Sequence, residues 1–173
     1  IGSNADETSK MVPNVQTDAE YQAAITAQVG AVLAPQVLSR YPSGTFGTPR
    51  RTLIRVTTDA IWTCTTRRLL RAFRQSQTEP VRRYFFSYSP AGPAGTLFGA
   101  THGLELVFVF KTYGQISGFS PSAAEVGLAN AIEGYWSRLA ASGDPNGGGS
   151  VAWPAYDAIS DPYVRLDLTV VAE

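Results

Sequence analysis

Apolar and polar positions change period several times along the chain, and each change marks an element. Thr17-Asp18-Ala19-Glu20 opens a helix, with Thr17 as N-cap and Glu20 completing a capping box. The Ala-rich amphipathic pattern predicts a helix to about Gly30; Pro35 opens a shorter one ending near Tyr41-Pro42, and Ser43 to Pro49 is a loop. A second helical region follows, with Thr58-Asp59 capping its main part from Ala60 to about Gln75. In that part Ile61, Cys64, Leu69, Ala72 and Phe73 share the inward side, and Arg67, Arg68, Arg71 and Arg74 spread outward. Ser122 to Ala141, after Pro121, is a long helix with Leu128, Ala131, Ile132, Tyr135, Trp136 and Leu139 on its buried stripe.

Period-two and continuous apolar runs mark the strands. Val81 to Tyr88, β-branched and aromatic and closed by Pro90, is the clearest, and Tyr163 to Leu168 is the last. Ile1-Gly2 reads as the end of a strand running into a polar turn. Ser89 to Gly95 is a flexible Gly/Pro loop, and Val170 to Glu173 carries no readable pattern. Two apolar strands and a stub cannot stand alone as a sheet. Helices interleaved with them imply an α/β sheet covered on its faces. The expectation is one segment, residues 1–173, that is the C-terminal part of a larger α/β domain.

Composition narrows the partners. Apolar residues make up 44% and charged residues only 16% of 173, against about 25% charged in a typical domain. Net charge is zero with no basic block, so neither nucleic acid nor an anionic membrane is suggested; the arginine cluster reads as a solvated helix face ahead of a nucleic-acid face. Cys64 is the single cysteine, read as a buried inert thiol, and with one histidine there is no zinc constellation. No apolar run approaches the ~20 residues of a membrane span and no secretory leader is visible, which favours a soluble protein, cytoplasmic ahead of secreted.

The chemistry centres on Gly99-Ala100-Thr101-His102-Gly103, which holds the only histidine. A glycine after it makes a tight turn cheap, and the run Leu104 to Phe110 is apolar enough to be buried. An imidazole so anchored can shuttle a proton near neutral pH, or it can be a satisfied turn histidine without chemistry. Asp6 and Glu7 follow the turn-former Asn4 and read equally as solvated loop acids. Gly143 to Ser150 is a surface turn; its glycines are no phosphate loop, since no Lys-Ser/Thr follows.

Four blocks resemble one family, in its order. Gly2-Ser3-Asn4-Ala5-Asp6-Glu7 resembles the Gly-x-Asn-x-Asp-Glu segment of type-B carboxylesterases, the cholinesterase and para-nitrobenzyl esterase group. Asp59 to Arg68 is similar to its Asp-x-x-Phe-x-Cys-Pro-x-Arg-Arg helix, and Gly99 to Leu106 to its Gly-Ala-x-His-Gly-x-Glu-Leu segment. Gly143-Asp144-Pro145-Asn146 with Trp153-Pro154-Ala155-Tyr156-Asp157 resembles its Gly-(Asp/Asn)-Pro-Asn…Trp-Pro-x-Tyr run.

The resemblance implies an α/β-hydrolase fold and carboxylic ester hydrolysis by a Ser-His-Glu triad, without a cofactor or metal. Glu7 is then the triad acid, His102 the base, and Glu105 a supporting carboxylate that rivals Glu7 as orienter. Lys10, Met11, Leu97 and Phe98 would face a small ester substrate. No Gly-x-Ser-x-Gly elbow occurs in the chain. The serine and oxyanion hole are therefore expected from an N-terminal segment of the same esterase, and this chain alone is expected to be inactive. The alternative is a non-catalytic hydrolase-fold adhesion or scaffold module. Two departures stand out: Thr8 replaces the glycine after the acid, and Lys111 the glycine closing Val-Phe-Gly.

Overall fold

Four short strands form one sheet in the computed structural model, which describes residues 1–116 and 118–173. They are β1 (Gly2–Asn4), β2 (Tyr84–Phe86), β3 (Val164–Leu166) and β4 (Val171–Ala172), in spatial order β1-β2-β3-β4. The first three are parallel, with Ser3 opposite Phe85 and Phe85 opposite Arg165; β4 returns antiparallel along β3. The tail without a readable pattern is thus an edge strand, recruited by the ladder beside it. The long strand predicted over Val81 to Tyr88 pairs regularly only at its middle, because its neighbours are equally short. Single bonds from Val164 N–H to Arg83 O and from Ser87 N–H to Leu166 O extend it by one residue each way.

Helices fill the parallel crossovers, as parallel strands require. Helix α1 (Asp18–Arg40) opens on the capping box of Thr17 and Glu20 and breaks at Gly30 (φ +79°), where the first helix was expected to end; it resumes directly, so Pro35 lies inside it and opens no helix. Helix α2 (Pro49–Thr58) is capped by Thr48 with Pro49 in its first turn. It runs without interruption through a π-helical turn (Asp59–Thr63) into α3 (Cys64–Ser76), so Thr58-Asp59 is no start. Two short helices follow, α4 (Pro93–Phe98) and α5 (Leu104–Val109), then α6 (Ala123–Ser142). Ser122 and Glu125 form the capping box of α6, and Gly143 closes it in the left-handed region.

The π turn corrects the expected stripe on the second helical region. Buried positions step by five across it, from Thr58 to Thr63, then to Thr66 and Leu70. That one extra residue moves the inward side by one position, about 100° of helix rotation. Ile61, Cys64, Leu69 and Ala72 are therefore exposed, and Cys64 is a surface thiol rather than a buried one. Arg67, expected outward, turns to Asp161 at 2.9 Å, where Arg83 also pairs at 2.7 Å. On α6 the stripe holds at Leu128, Ile132 and Tyr135, while Leu139 is exposed and Ala129 takes an inward place.

Two cores hold the layers. Phe86, Phe108, Leu128, Ile132, Tyr135, Trp153 and Leu166 join the sheet to α5 and α6. Tyr21, Ile25, Leu53 and Val56 join α1 to α2. Full burial of each large side chain is worth roughly 1.5–3 kcal/mol. Phe85 points to the opposite sheet face from Phe86, under the Arg55 guanidinium at 5.8 Å. The apolar run after His102 is only half-buried: Phe108 is enclosed, but Phe110 is 69% exposed.

Candidate active site

The acid turn leaves β1 at its carboxyl end, the edge where open α/β sheets place their ligands. Ser3, Asn4, Glu7, Thr8 and Ser9 are all buried. A buried carboxylate needs partners on both oxygens. For Glu7, the Asn4 backbone N–H donates to Oε1 at 2.7 Å, and Oε2 lies 2.6 Å from His102 Nδ1. Beneath it the Thr8 hydroxyl sits 2.5 Å from Thr57 Oγ1, 3.2 Å from Thr58 Oγ1 and 3.1 Å from the Ile54 carbonyl. The Thr8 side chain, which a glycine there would lack, thus anchors the turn to α2.

The histidine loop is laced to that turn. Asp6 and Thr101 form an isolated parallel bridge, the Asp6 N–H donates to Ala100 O, and the Ala100 N–H donates to Asp6 Oδ2 at 2.9 Å. Asp6, which the pattern left as a solvated acid, is half-buried in this lacing and 3.5 Å from the Arg51 guanidinium. Gly99 is held at φ +60°, and a Cβ there would lie 2.1 Å from Asp6 Oδ2, so no larger residue fits this approach. Ser9 Oγ donates to Thr101 Oγ1 at 2.9 Å, and Asn4 Nδ2 donates to Thr101 O at 2.8 Å. Gly103 then turns the chain in the left-handed region into α5.

These bonds place Glu7 and His102 together across 95 positions of sequence. Glu7 is 5% exposed and His102 52%, so the acid is enclosed while half of the imidazole side chain is open. Glu105 makes no hydrogen bond to the imidazole; it accepts from Asn4 Nδ2, and Glu7 is the carboxylate bonded to the ring. Burial, with the Glu105 and Glu7 carboxylates nearby, pushes the Tyr84 phenol up to about 12. Phe98 and Lys10 line an apolar cavity of about 260 Å³ with Thr101, Leu104 and Phe108. Leu97 faces a separate groove beside Arg50 and Arg51, and Met11 is 62% exposed, so the expected substrate-facing residues do not share one pocket.

Two neighbours escaped the sequence reading. Asn4 is the hub joining acid turn, histidine loop and Glu105. Trp62 stacks on His102, with ring centroids 4.8 Å apart and planes 34° apart. The available signal was its place in the Asp59 to Arg68 block, an aromatic at a fixed offset from Asp59. Among the described residues no three His, Cys, Asp or Glu side chains converge as a metal site. No helix there is long and apolar enough to cross a membrane.

A mixed sheet with helices in its crossovers, and a carboxylate and imidazole meeting at the strand ends, belong to the α/β-hydrolase class. A solved thermophilic PNB esterase superposes over 99% of the chain with a TM-score of 0.69 and 27% identity, using 35% of that esterase. The family model of the carboxylesterase family matches residues 2–173, and the chain belongs to that family. The medium-chain fatty acyl-CoA hydrolase precursor of Anas platyrhynchos is 36% identical over 94 residues, 52% of this chain and 16% of that protein. Carboxylesterase 5A of Felis catus is 37% identical over 98 residues, 53% of this chain and 18% of that one. The chain thus matches only about a sixth of the length of these curated relatives.

Proposed function

We propose that this chain supplies the acid and base of a Ser-His-Glu triad for carboxylic ester hydrolysis, with the serine and oxyanion hole donated by an N-terminal segment of the same esterase. The observation that carries this reading is the enclosed Glu7 carboxylate 2.6 Å from Nδ1 of a half-open imidazole. Glu7 accepts the Nδ1–H, fixes the tautomer and stabilises the imidazolium. His102 Nε2 takes the serine proton as the acyl-enzyme forms, returns it to the leaving alcohol, and repeats the cycle with water. The donated segment has surfaces to meet. Ser3 Oγ, Asn4 Oδ1 and Trp62 Nε1 are buried without a partner among the described residues. Leu106, Val109, Phe110, Tyr84 and Trp136 line an apolar groove beside Glu105.

The experiment joins the chain, covalently or by co-expression, to the serine-bearing segment of a related esterase and follows a short p-nitrophenyl ester. Hydrolysis is expected, and His102→Ala lowers turnover by roughly three to six orders of magnitude. Undiminished turnover in that variant refutes the assignment.

A further inference from the structure

We propose that Trp62 is a positioning residue for His102, its indole forming the back wall that keeps the imidazole in the plane joining Glu7 to the nucleophile. The role rests on the triad reading above, but its geometry stands by itself. Among the described residues the imidazole has one hydrogen-bond partner, Glu7 at Nδ1. One bond fixes a point of the ring and leaves it free to rock about the Nδ1···Oε2 line. With 52% of the side chain exposed, solvent does nothing to stop that. The indole at 4.8 Å and a tilt of 34° covers one face of the ring and removes this freedom. The imidazolium formed during turnover then meets a π face, which favours the cation.

The backbone under Trp62 points the same way. The Cys64 N–H bonds the Asp59 carbonyl, five residues back, so Trp62 sits inside the π turn itself. Such turns insert one residue into an α-helix and are frequent at functional sites. This one lies against β1, directly beneath the acid turn. A regular helix over Asp59–Thr63 would carry one residue fewer per turn here and give Trp62, inside the turn, a different direction from the helix axis. The irregularity therefore serves the contact, while the buried stripe resumes at Thr63, Thr66 and Leu70.

His102 is the only histidine, so its ring signals are unambiguous in NMR spectra of the full chain. Expected in the parent protein are a persistent Nδ1–H signal and ring protons displaced upfield by the indole. Trp62→Leu loses the displacement and exchanges its Nδ1–H at least about tenfold faster, whereas Trp62→Phe keeps most of both. Trp62→Met, which fills the space without a ring, takes the place of Leu if that variant does not fold; methyl signals of Leu70 and Ile132 report the fold. In the reconstituted esterase the ringless variants lower kcat about 10- to 100-fold at unchanged KM, and Phe restores it. A folded ringless variant with parental ring shifts and Nδ1–H exchange overturns the proposal. Parental spectra with an inactive reconstituted parent would instead count against the triad reading alone.

Discussion

The two halves of the site are built on opposite plans. The acid turn is buried from Ser3 to Ser9 apart from Ala5 and Asp6, and is held from below by the hydroxyls of Thr57 and Thr58. The histidine loop hangs between two glycines at positive φ, Gly99 and Gly103, with its imidazole half in solvent. One half is fixed by buried bonds; the other takes its position from the first through Asp6, Asn4 and Ser9. A proton acceptor that must reach a reacting atom has to stay accessible, whereas the carboxylate that orients it gains from enclosure. Under the proposed triad, the division of labour between the halves follows from that requirement.

Three tests, with five substitutions between them, probe the contrast. The largest effect is expected from Glu7→Gln, which leaves the enclosure intact but offers Nδ1 a partner of the wrong kind. Its turnover in the reconstituted esterase should fall by about 10³–10⁴-fold, while Glu105→Gln, one bond removed through Asn4, costs at most about tenfold. Equal losses in steady-state kinetics would erase the distinction between orienter and support. Next comes the lacing. Gly99→Ala adds a methyl 2.1 Å from Asp6 Oδ2 at φ +60° and should cost about 2–4 kcal/mol in denaturant unfolding. Gly103→Ala, with nothing within 4 Å of the added carbon, should cost only about 1 kcal/mol.

The smallest effect is a pH dependence. The Tyr84 phenol is raised from 10.0 to about 12 by burial and by the Glu105 and Glu7 carboxylates. A group raised in the folded state contributes stability that is fully present below its unfolded value near 10 and is lost as pH rises towards about 12. Tyr84→Phe should flatten that alkaline decline in thermal melts between pH 9 and 12, without altering the melt at pH 7. An unchanged decline would mean that the phenol does not sense the acid turn.

Much of this was written locally. The capping boxes at Thr17 and Ser122, the break near Gly30 and the aromatic centre of β2 all follow from short-range preferences that tertiary contacts reinforce. Glu7 and His102 stood out because each sits in a short block of distinctive residue types. The stripe on the second helical region failed for a definite reason. A π turn is decided by what the helix packs against, and a one-residue insertion leaves no mark in composition or period. Cys64 and Leu69 moved to the surface with it, and Arg67 moved in to Asp161.

The sequence by itself determined where the helices after Thr17 and Pro121 begin and which residue types meet at the site. Tertiary structure alone decided that β4 pairs, that Glu7 rather than Glu105 reaches the imidazole, and that an indole lies on its far face. Those outcomes depend on angles and separations between elements distant in the chain, where an ångström changes the partner and no local propensity has any grip.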